Sequence, residues 1–555
     1  MRLESFLERH FHVVVVLLCL GYLSIQLLYI TRTEFNPDEV QGAHAVHTLK
    51  TKLPYRDLWP YKTALGYYLQ IPVLSMSDDP WTGLLLLRGE MALLNTALLC
   101  MVACVLAKHF RKAAICLALL PLLTMSNFLE HSSEIRVDML TSAWGLVSLL
   151  LLLKRRFVWA GVACALSFLV SQKGIYYIIA SNAALVGYML LHRERHSIQP
   201  ACGFNVAMLG VLVTYCGFWT ALSSPAAVLN NIFFSPHLMV FTVPYDIHLF
   251  FWLQTLWRNP LFYVIGLLHL PQLVWRLTCR PVAYRDALLL VYTVTLMALG
   301  IWHKQPWPYF FVLLIPTIFV LHVSFFHLYL EQPSNPASRR LILLLFVLLA
   351  LVPLQRFQVT LPRTHGYQKH MLEILASFLE PGDTYVDGMD FMYQRQQGIA
   401  ALRWLEAIAL VHLHTLPQAH LIAIIQELET APIKLFVHNV RTESLTPLLH
   451  DYLLSQFAQL WGNLYVYAPT ITPASSEFVV KFSGTYLVEL ATDAAVSING
   501  QTYYPKAQVQ LQAGRYHNNN QQTFRLKFMP ERWEEKVEWQ YRDERPHFMA
   551  FRHFD

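Results

Sequence analysis

The sequence predicts an α-helical polytopic membrane bundle of about eleven spans, followed by an extracytoplasmic region with an α/β part and a β-sandwich-like part. Three observations carry this. Of 555 residues, 55% are hydrophobic and only 14% are Asp, Glu, Lys or Arg, where a soluble domain carries roughly 25% charged residues. The charge is uneven: residues 1–355 hold 25 Lys+Arg against 16 Asp+Glu, and residues 356–555 hold 17 against 20. The apolar period also changes along the chain, from continuous runs to helical spacing and then to strict alternation. A soluble enzyme, a collagen and a long coiled coil are excluded. The scattered basic residues, without interleaved aromatics, argue against a nucleic-acid partner.

The elements follow in order. Residues 1–10 carry both acids and bases, and the apolar run from Val13 to Ile30 is too long for a signal core, so it reads as a retained first span. With about 20 apolar residues needed to cross a bilayer, the candidate spans are 12–31, 83–107, 113–126, 137–153, 157–171, 174–191, 203–222, 259–276, 286–302, 308–330 and 340–356. If the N-terminus faces the cytoplasm, each inner connection is basic: Lys108/Arg111/Lys112, Lys154/Arg155/Arg156, Arg193/Arg195, Arg276/Arg280/Arg285 and Arg339/Arg340. An odd span count then puts the C-terminus outside. The expected domains are 1–356 in the membrane, 357–470 as an α/β subdomain and 471–555 as a β-rich subdomain. The eight cysteines all precede residue 280 and show no metal-like spacing.

In the tail, His370–Leu379 puts Met371, Ile374, Leu375 and Phe378 on one helical face, and Pro381-Gly382-Asp383 stops that helix before a strand at Thr384–Val386. Helices near 418–429 and 443–457 alternate with strands Ile433–His438 and Leu464–Tyr467. After Pro473 the period becomes two, with Asn499-Gly500 as a hairpin turn.

The first outer loop holds the densest chemistry, Phe35-Asn36-Pro37-Asp38-Glu39. Pro37 followed by two carboxylates makes a good helix start, favoured by the helix dipole. The same pair, trailed by Tyr55, Arg56, Asp57, Trp59, Tyr61 and Lys62, also fits a polar cavity at the membrane surface. The second outer loop ends Glu134-Ile135-Arg136-Val137-Asp138 at the mouth of a span, where unpaired charge is expensive. Arg88, Lys173 and the His303-Lys304 pair bring further cations to the same side. Each could simply snorkel to headgroups, but together they suit a lipid-linked phosphate. His44 and His47 lie one helical turn apart and do not form a HExxH motif.

Taken in order, Asn36-Pro37-Asp38-Glu39, Leu53-Pro54-Tyr55-Arg56-Asp57, Leu87-Arg88, Arg136-Val137-Asp138, Gln172-Lys173-Gly174 and His303-Lys304 through Pro316 resemble the GT-C membrane glycosyltransferases. The likeness is greatest to those related to protein O-mannosyltransferases and lipid A aminoarabinose transferases, and it covers about residues 1–355. It implies a multi-pass enzyme of the bacterial inner membrane, active in glycan or lipopolysaccharide biosynthesis. The sugar, hexosyl or pentosyl, would come from a polyprenyl-phosphate donor and pass, with inversion, to a hydroxyl of a glycan, glycolipid or protein. By this resemblance Asp38 is the base, with Glu39 as its assistant or alternative. Arg88, Arg136, Lys173 and Lys304 face the donor phosphate, while Tyr55, Lys62, Glu134, Asp138 and His303 contact substrate. A divalent cation, Mg or Mn, on Asp38 and Glu39 is compatible with that chemistry, although no compact ligand set accompanies them.

The rival reading is a lipid or sugar transporter or flippase without transferase activity. Such proteins place ionisable groups at mid-membrane within internal repeats. Here the polar residues gather at outer span ends and no repeat is visible. An O-antigen ligase or polymerase would place its decisive loop late in the chain, and a glycan-binding scaffold would leave the outer charges without a role.

Overall fold

The computed structural model describes residues 2–58, 62–192, 198–236, 248–279, 283–331, 358, 360–395 and 397–531. The chain forms two compact units. One comprises Met1–Thr33 and Ala45–Arg363; the other comprises Glu34–His44 and Thr364–Asp555.

The first unit is helical. Its helices are α1 (Arg2–Arg9), α2 (Phe11–Ile30), the end of α3 (Pro37–Thr48), α4 (Leu65–Leu74), α5 (Pro80–Leu106), α6 (Lys112–Thr124), α7 (Ser126–His131) and α8 (Val137–Leu153). Then come α9 (Phe157–Val170), α10 (Ile175–His192), α11 (Ile198–Leu222), α12 (Pro225–Leu229), α13 (His248–Arg258), α14 (Pro260–Cys279), α15 (Tyr284–Trp302) and α16 (Ile315–Glu331). Five of the described helices, starting at Phe11, Pro80, Ile198, Pro260 and Tyr284, are long and apolar enough to cross a membrane; several others are apolar but shorter. The expected span at 340–356 lies outside the described residues.

The packing of these helices fits a lipid surround. Helix α2 is largely apolar but buries only a stripe at Phe11, Val15, Cys19, Tyr22, Gln26, Tyr29 and Ile30. Val13 and Leu17 on its other face are 58% and 62% exposed, an arrangement water would penalise and acyl chains would not. Helix α11 buries only Phe204, Met208 and Trp219. Small residues bring helices together: a Cβ on Gly161 of α9 would lie 2.1 Å from the Phe204 carbonyl of α11, so only glycine permits this approach. Some expected spans start or stop elsewhere. Helix α6 ends at Thr124, where Met125 turns extended before α7. The expected span 308–330 opens as a 3-10 turn, Pro308–Leu313, because Pro308 and Pro316 each remove a helical N–H.

The second unit holds the start of α3 and the soluble tail. Its α/β part contains α17 (Gly366–Phe378), α18 (Ala407–Thr415), α19 (Gln418–Thr430), α20 (Val440–Glu443) and α21 (Pro447–Gln456). These accompany a four-stranded sheet of β1 (Thr384–Val386), β2 (Ile433–Val437), β3 (Phe457–Trp461) and β4 (Leu464–Tyr467). The sheet order is β1-β2-β4-β3, with β1 and β2 parallel and the other pairs antiparallel. Helix α21 is shorter than the expected 443–457 helix because it starts only at Pro447, after the separate turn α20, and at Phe457 the chain leaves it to form β3. A tight return at Gly462, φ +50°, then leads into β4. Trp461 is buried and stacks on Tyr367 of α17 at 4.9 Å.

The β-rich part consists of β5 (Thr470–Ile471), β6 (Glu477–Val480), β7 (Gly484–Leu490), β8 (Val496–Ile498), β9 (Gln501–Tyr503), β10 (Gln508–Leu511), β11 (Gly514–His517) and β12 (Phe524–Met529). It is one antiparallel sheet, β10-β7-β12-β5, with two ribbons, β11-β6 and β8-β9. The expected alternation is present: β6 and β10 bury every second residue. Asn499 and Gly500 both have positive φ, as a two-residue hairpin turn of the primed type requires.

Candidate active site

In the first unit the site is built on the segment between α6 and α8, which several elements hold. Ser126 N donates to Asn259 Oδ1 at 2.7 Å, and Asn127 Nδ2 donates to the Pro308 carbonyl at 3.2 Å. From α2, Tyr22 Oη and Ser132 Oγ lie 2.6 Å apart and Gln26 Nε2 donates to Leu129 O at 3.0 Å. Asn95 of α5 donates to the Ser132 carbonyl. A loop fixed this way can hold charge without drifting.

The charge sits at its end. Asp138, in the first turn of α8, is 2% exposed. Its Oδ2 accepts from Arg136 Nε at 3.0 Å and from Lys62 Nζ at 3.4 Å, and its Oδ1 accepts from Lys173 Nζ at 2.8 Å. The Arg136 guanidinium lies 3.3 Å over the Tyr309 ring and Lys173 lies 4.9 Å from the same ring. Glu134 accepts from His131 Nδ1 at 2.8 Å and approaches Arg136 at 4.0 Å. Lys62, Arg136 and Lys173 therefore converge with Asp138 and Glu134 at a buried aromatic-backed position. His303 bonds Tyr176 Oη at 2.8 Å and stacks on Phe310 at 4.3 Å.

Not every expected residue joins that cluster. Arg88 is buried and donates to the Thr33 carbonyl and hydroxyl at 2.8 and 3.1 Å, bracing the end of α2. Lys304 stands exposed in the turn after α15. Tyr55 is buried at φ +65°, its hydroxyl 3.0 Å from Tyr215 Oη and accepting from Ala64 N at 3.3 Å, with Trp219 edge-on to its ring. Tyr309 and His131 were not singled out in the sequence, since a Tyr in a Pro-Tyr-Phe-Phe run looks like the start of a span.

The acidic helix start belongs to the second unit. Asn36 Oδ1 accepts from Glu39 N at 3.0 Å while Glu39 Oε1 accepts from Asn36 N at 3.2 Å, a reciprocal capping box. Glu39 is fully buried and spends a carboxylate oxygen on this cap, whereas Asp38 is half-buried. The helix is moored at both ends. Phe35 N donates to Gln368 Oε1 at 2.8 Å and Gln368 Nε2 returns a bond to Phe35 O at 2.9 Å. His44 Nδ1 donates to the Tyr393 carbonyl at 2.9 Å, which leaves Nε2 as the acceptor for Arg403 and fixes a neutral tautomer.

Behind Arg403 lies a buried acid pair. Asp387, just past β1, accepts the backbone N–H groups of Met389, Asp390 and Phe391 at 2.7–2.9 Å. Gln397 Nε2 reaches Asp387 at 2.7 Å and Asp390 at 3.1 Å, and Asp390 also meets Trp404 and, at 3.8 Å, Arg403. Burial, and then the neighbouring Asp390 charge, push Asp387 up to about 7; burial pushes Asp390 up to about 7 against the pull of Arg403.

As for a metal, no group of three or more His, Cys, Asp or Glu side chains gathers into a cation site among the described residues. Of the two acids proposed for a cation, Glu39 has one carboxylate oxygen bound into the cap and Asp38 is half-buried beside it.

No family model and no curated protein matches the chain. Among solved structures it is similar to ArnT from Cupriavidus metallidurans, determined bound to undecaprenyl phosphate, at 15% sequence identity over 79% of this chain and 75% of that one, with a TM-score of 0.46. At that identity and score the likeness carries no activity from one chain to the other.

Proposed function

We propose that the chain is a membrane glycosyltransferase that moves a sugar from a polyprenyl-phosphate donor to an acceptor hydroxyl on the face opposite its basic loops. The observation that supports this best is the convergence of Lys62, Arg136 and Lys173 on Asp138 beside Tyr309. Long cationic side chains that meet on one carboxylate can exchange part of that pairing for a phosphate, and their positive charge offsets the charge that grows on a departing phosphate. Lys304 serves the same phosphate from its exposed turn.

Asp38 is the base in this reading. The acceptor oxygen attacks the anomeric carbon, its proton passes to the Asp38 carboxylate, and the bond from that carbon to the phosphate oxygen breaks with its electron pair leaving on the phosphate. Attack opposite the leaving group inverts the anomeric centre. Glu39 orients the helix rather than taking the proton, because its carboxylate caps Asn36. The acceptor is a hydroxyl of a glycan, glycolipid or protein.

The test is Asp38→Asn in purified protein reconstituted with a polyprenyl-phosphate sugar. Transfer is expected to fall by roughly 100-fold or more while the melting temperature stays at the wild-type value. Undiminished transfer would remove Asp38 from the mechanism, and wild-type protein inert toward every polyprenyl-phosphate sugar would end the reading.

A further inference from the structure

At the basic end of the first unit three connections meet: the turn 107–111 between α5 and α6, the turn 154–156 between α8 and α9, and the start of α15. Arg285 Nη1 donates to the His109 carbonyl at 3.4 Å, and Tyr284 Oη donates to Leu152 O at 2.8 Å. Aromatic rings aim the cations: Arg155 lies 4.8 Å over Tyr284 and Arg285 lies 4.9 Å over Phe110. The paired carboxylates here engage other cations: Asp286 is held by Arg276 and Arg285 at 3.3 and 3.2 Å, and Glu4 and Glu8 of α1 pair with Arg111 at 2.5 and 3.8 Å. Lys108, Lys154, Arg155 and Arg156 have no carboxylate partner among the described residues. His109 feels the result: burial, then the charges of Lys154, Arg285 and Lys108, hold its imidazole below the usual range.

A second observation concerns the backbone. Helix α8 ends with Arg155 at φ +56°, a left-handed position where helices ordinarily place glycine. Arg155 N bonds Leu152 O at 2.9 Å and Arg156 N bonds Leu151 O at 2.8 Å, so the turn is a formed helix cap. An arginine kept where glycine would be relaxed is explained by what its side chain binds. Immediately beyond, Val158 and Trp159 are 53% and 64% exposed, an apolar ledge beside the cations.

We propose that this junction is a binding site for an anionic phospholipid, with Lys108, Lys154, Arg155 and Arg285 around its phosphate and Val158 and Trp159 along its acyl chain. General attraction of basic loops to a membrane needs only their number. Here the cations are gathered against their own repulsion, over aromatic supports and at a strained residue, which calls for a counter-anion at a fixed place. The apolar ledge selects a lipid over a soluble anion. This site is separate from the cluster at Asp138 and does not depend on the sugar-transfer reading.

The experiment titrates short-chain phosphatidylglycerol against delipidated full-length protein in phosphatidylcholine nanodiscs, reading occupancy by native mass spectrometry. Wild-type protein is expected to prefer phosphatidylglycerol over added short-chain phosphatidylcholine by at least about 10-fold. Lys154→Gln with Arg155→Gly is expected to weaken it by roughly 30-fold, on the usual contribution of two cations near a lipid surface. Arg155→Gly alone should lower affinity while raising the melting temperature, because it relieves the left-handed strain; a purely structural arginine would not produce that split. Arg56→Gln, which removes an exposed cation paired with Asp57, should change neither. Unaltered binding in Arg155→Gly, equal weakening by Arg56→Gln, or displacement of the lipid by millimolar inorganic phosphate would each overturn the proposal.

Discussion

Asp138 and the Asp387/Asp390 pair are all buried carboxylates, and the chain compensates them in opposite ways. Asp138 draws side-chain cations from three separate stretches, at Lys62, Arg136 and Lys173. Asp387 is met by the backbone N–H groups of its own loop, residues 389–391, and by Gln397. Long side chains can swing to another anion without unmaking the fold, whereas loop amides can leave only if the loop unwinds. The first arrangement suits a site that exchanges ligands. The second suits a brace, and it is the brace that holds Arg403 against His44 on α3.

The strongest way to break this contrast is Asp138→Asn. Three cations would lose their shared anion in a position closed to water, at a cost of about 3–5 kcal/mol, read as a lower melting temperature of the detergent-purified protein. A loss under about 1 kcal/mol would mean that the cluster is solvated and the comparison fails.

A smaller effect comes from pH. Asp387 and Asp390 titrate near 7 in the folded chain and near about 4 once unfolded. Between these values the folded form keeps protons that the unfolded form has released. Stability of the second unit therefore falls as pH rises from about 4 to about 7, by on the order of a few kcal/mol, and levels off above that. Pulse proteolysis at stepped pH, with mass spectrometry of the 384–405 peptides, follows it. Asp390→Asn should flatten about half of the slope; a stability rising over this window would mean that both acids are ionised and fully paired.

The smallest effect ranks the arms at Asp138. Lys62 is the longest contact, at 3.4 Å, and Lys173 the shortest, at 2.8 Å. Lys62→Met should cost about 1 kcal/mol or less by thermal melting, and Lys173→Met more. The reverse order would make Lys62 the anchor of the site.

The charged end of this site was readable because ionisable residues in apolar surroundings stand out: Arg136, Asp138 and Lys173 are conspicuous in the sequence, and they do meet. Lys62 also stood out, but its pairing with a residue 76 positions away left no local mark. Tyr309 was hidden among other apolar residues, and Tyr55 drew attention for an aromatic context while its backbone and hydroxyl are set by packing. In the tail, helical and alternating periods revealed most elements; β3 was lost because Phe457–Trp461 continues the apolar pattern of the helix before it. Gln368 and Arg403 were invisible for a plainer reason. Polar residues are ordinary in a soluble region, and nothing in either segment announces a bond to Phe35 or His44.

The mooring of Phe35 by Gln368 spans 333 positions, and this has a consequence for biosynthesis. Residues 34–44 leave the ribosome early, but the groups that hold them, at Gln368, Tyr393 and Arg403, are made on the order of tens of seconds later at ordinary elongation speeds. Until then the acidic helix start lacks its Gln368 and Arg403 anchors. A nascent chain would thus carry its earlier helices into the membrane with that segment unfastened, and emergence of residues 368–403 would act as the signal that sets it in place.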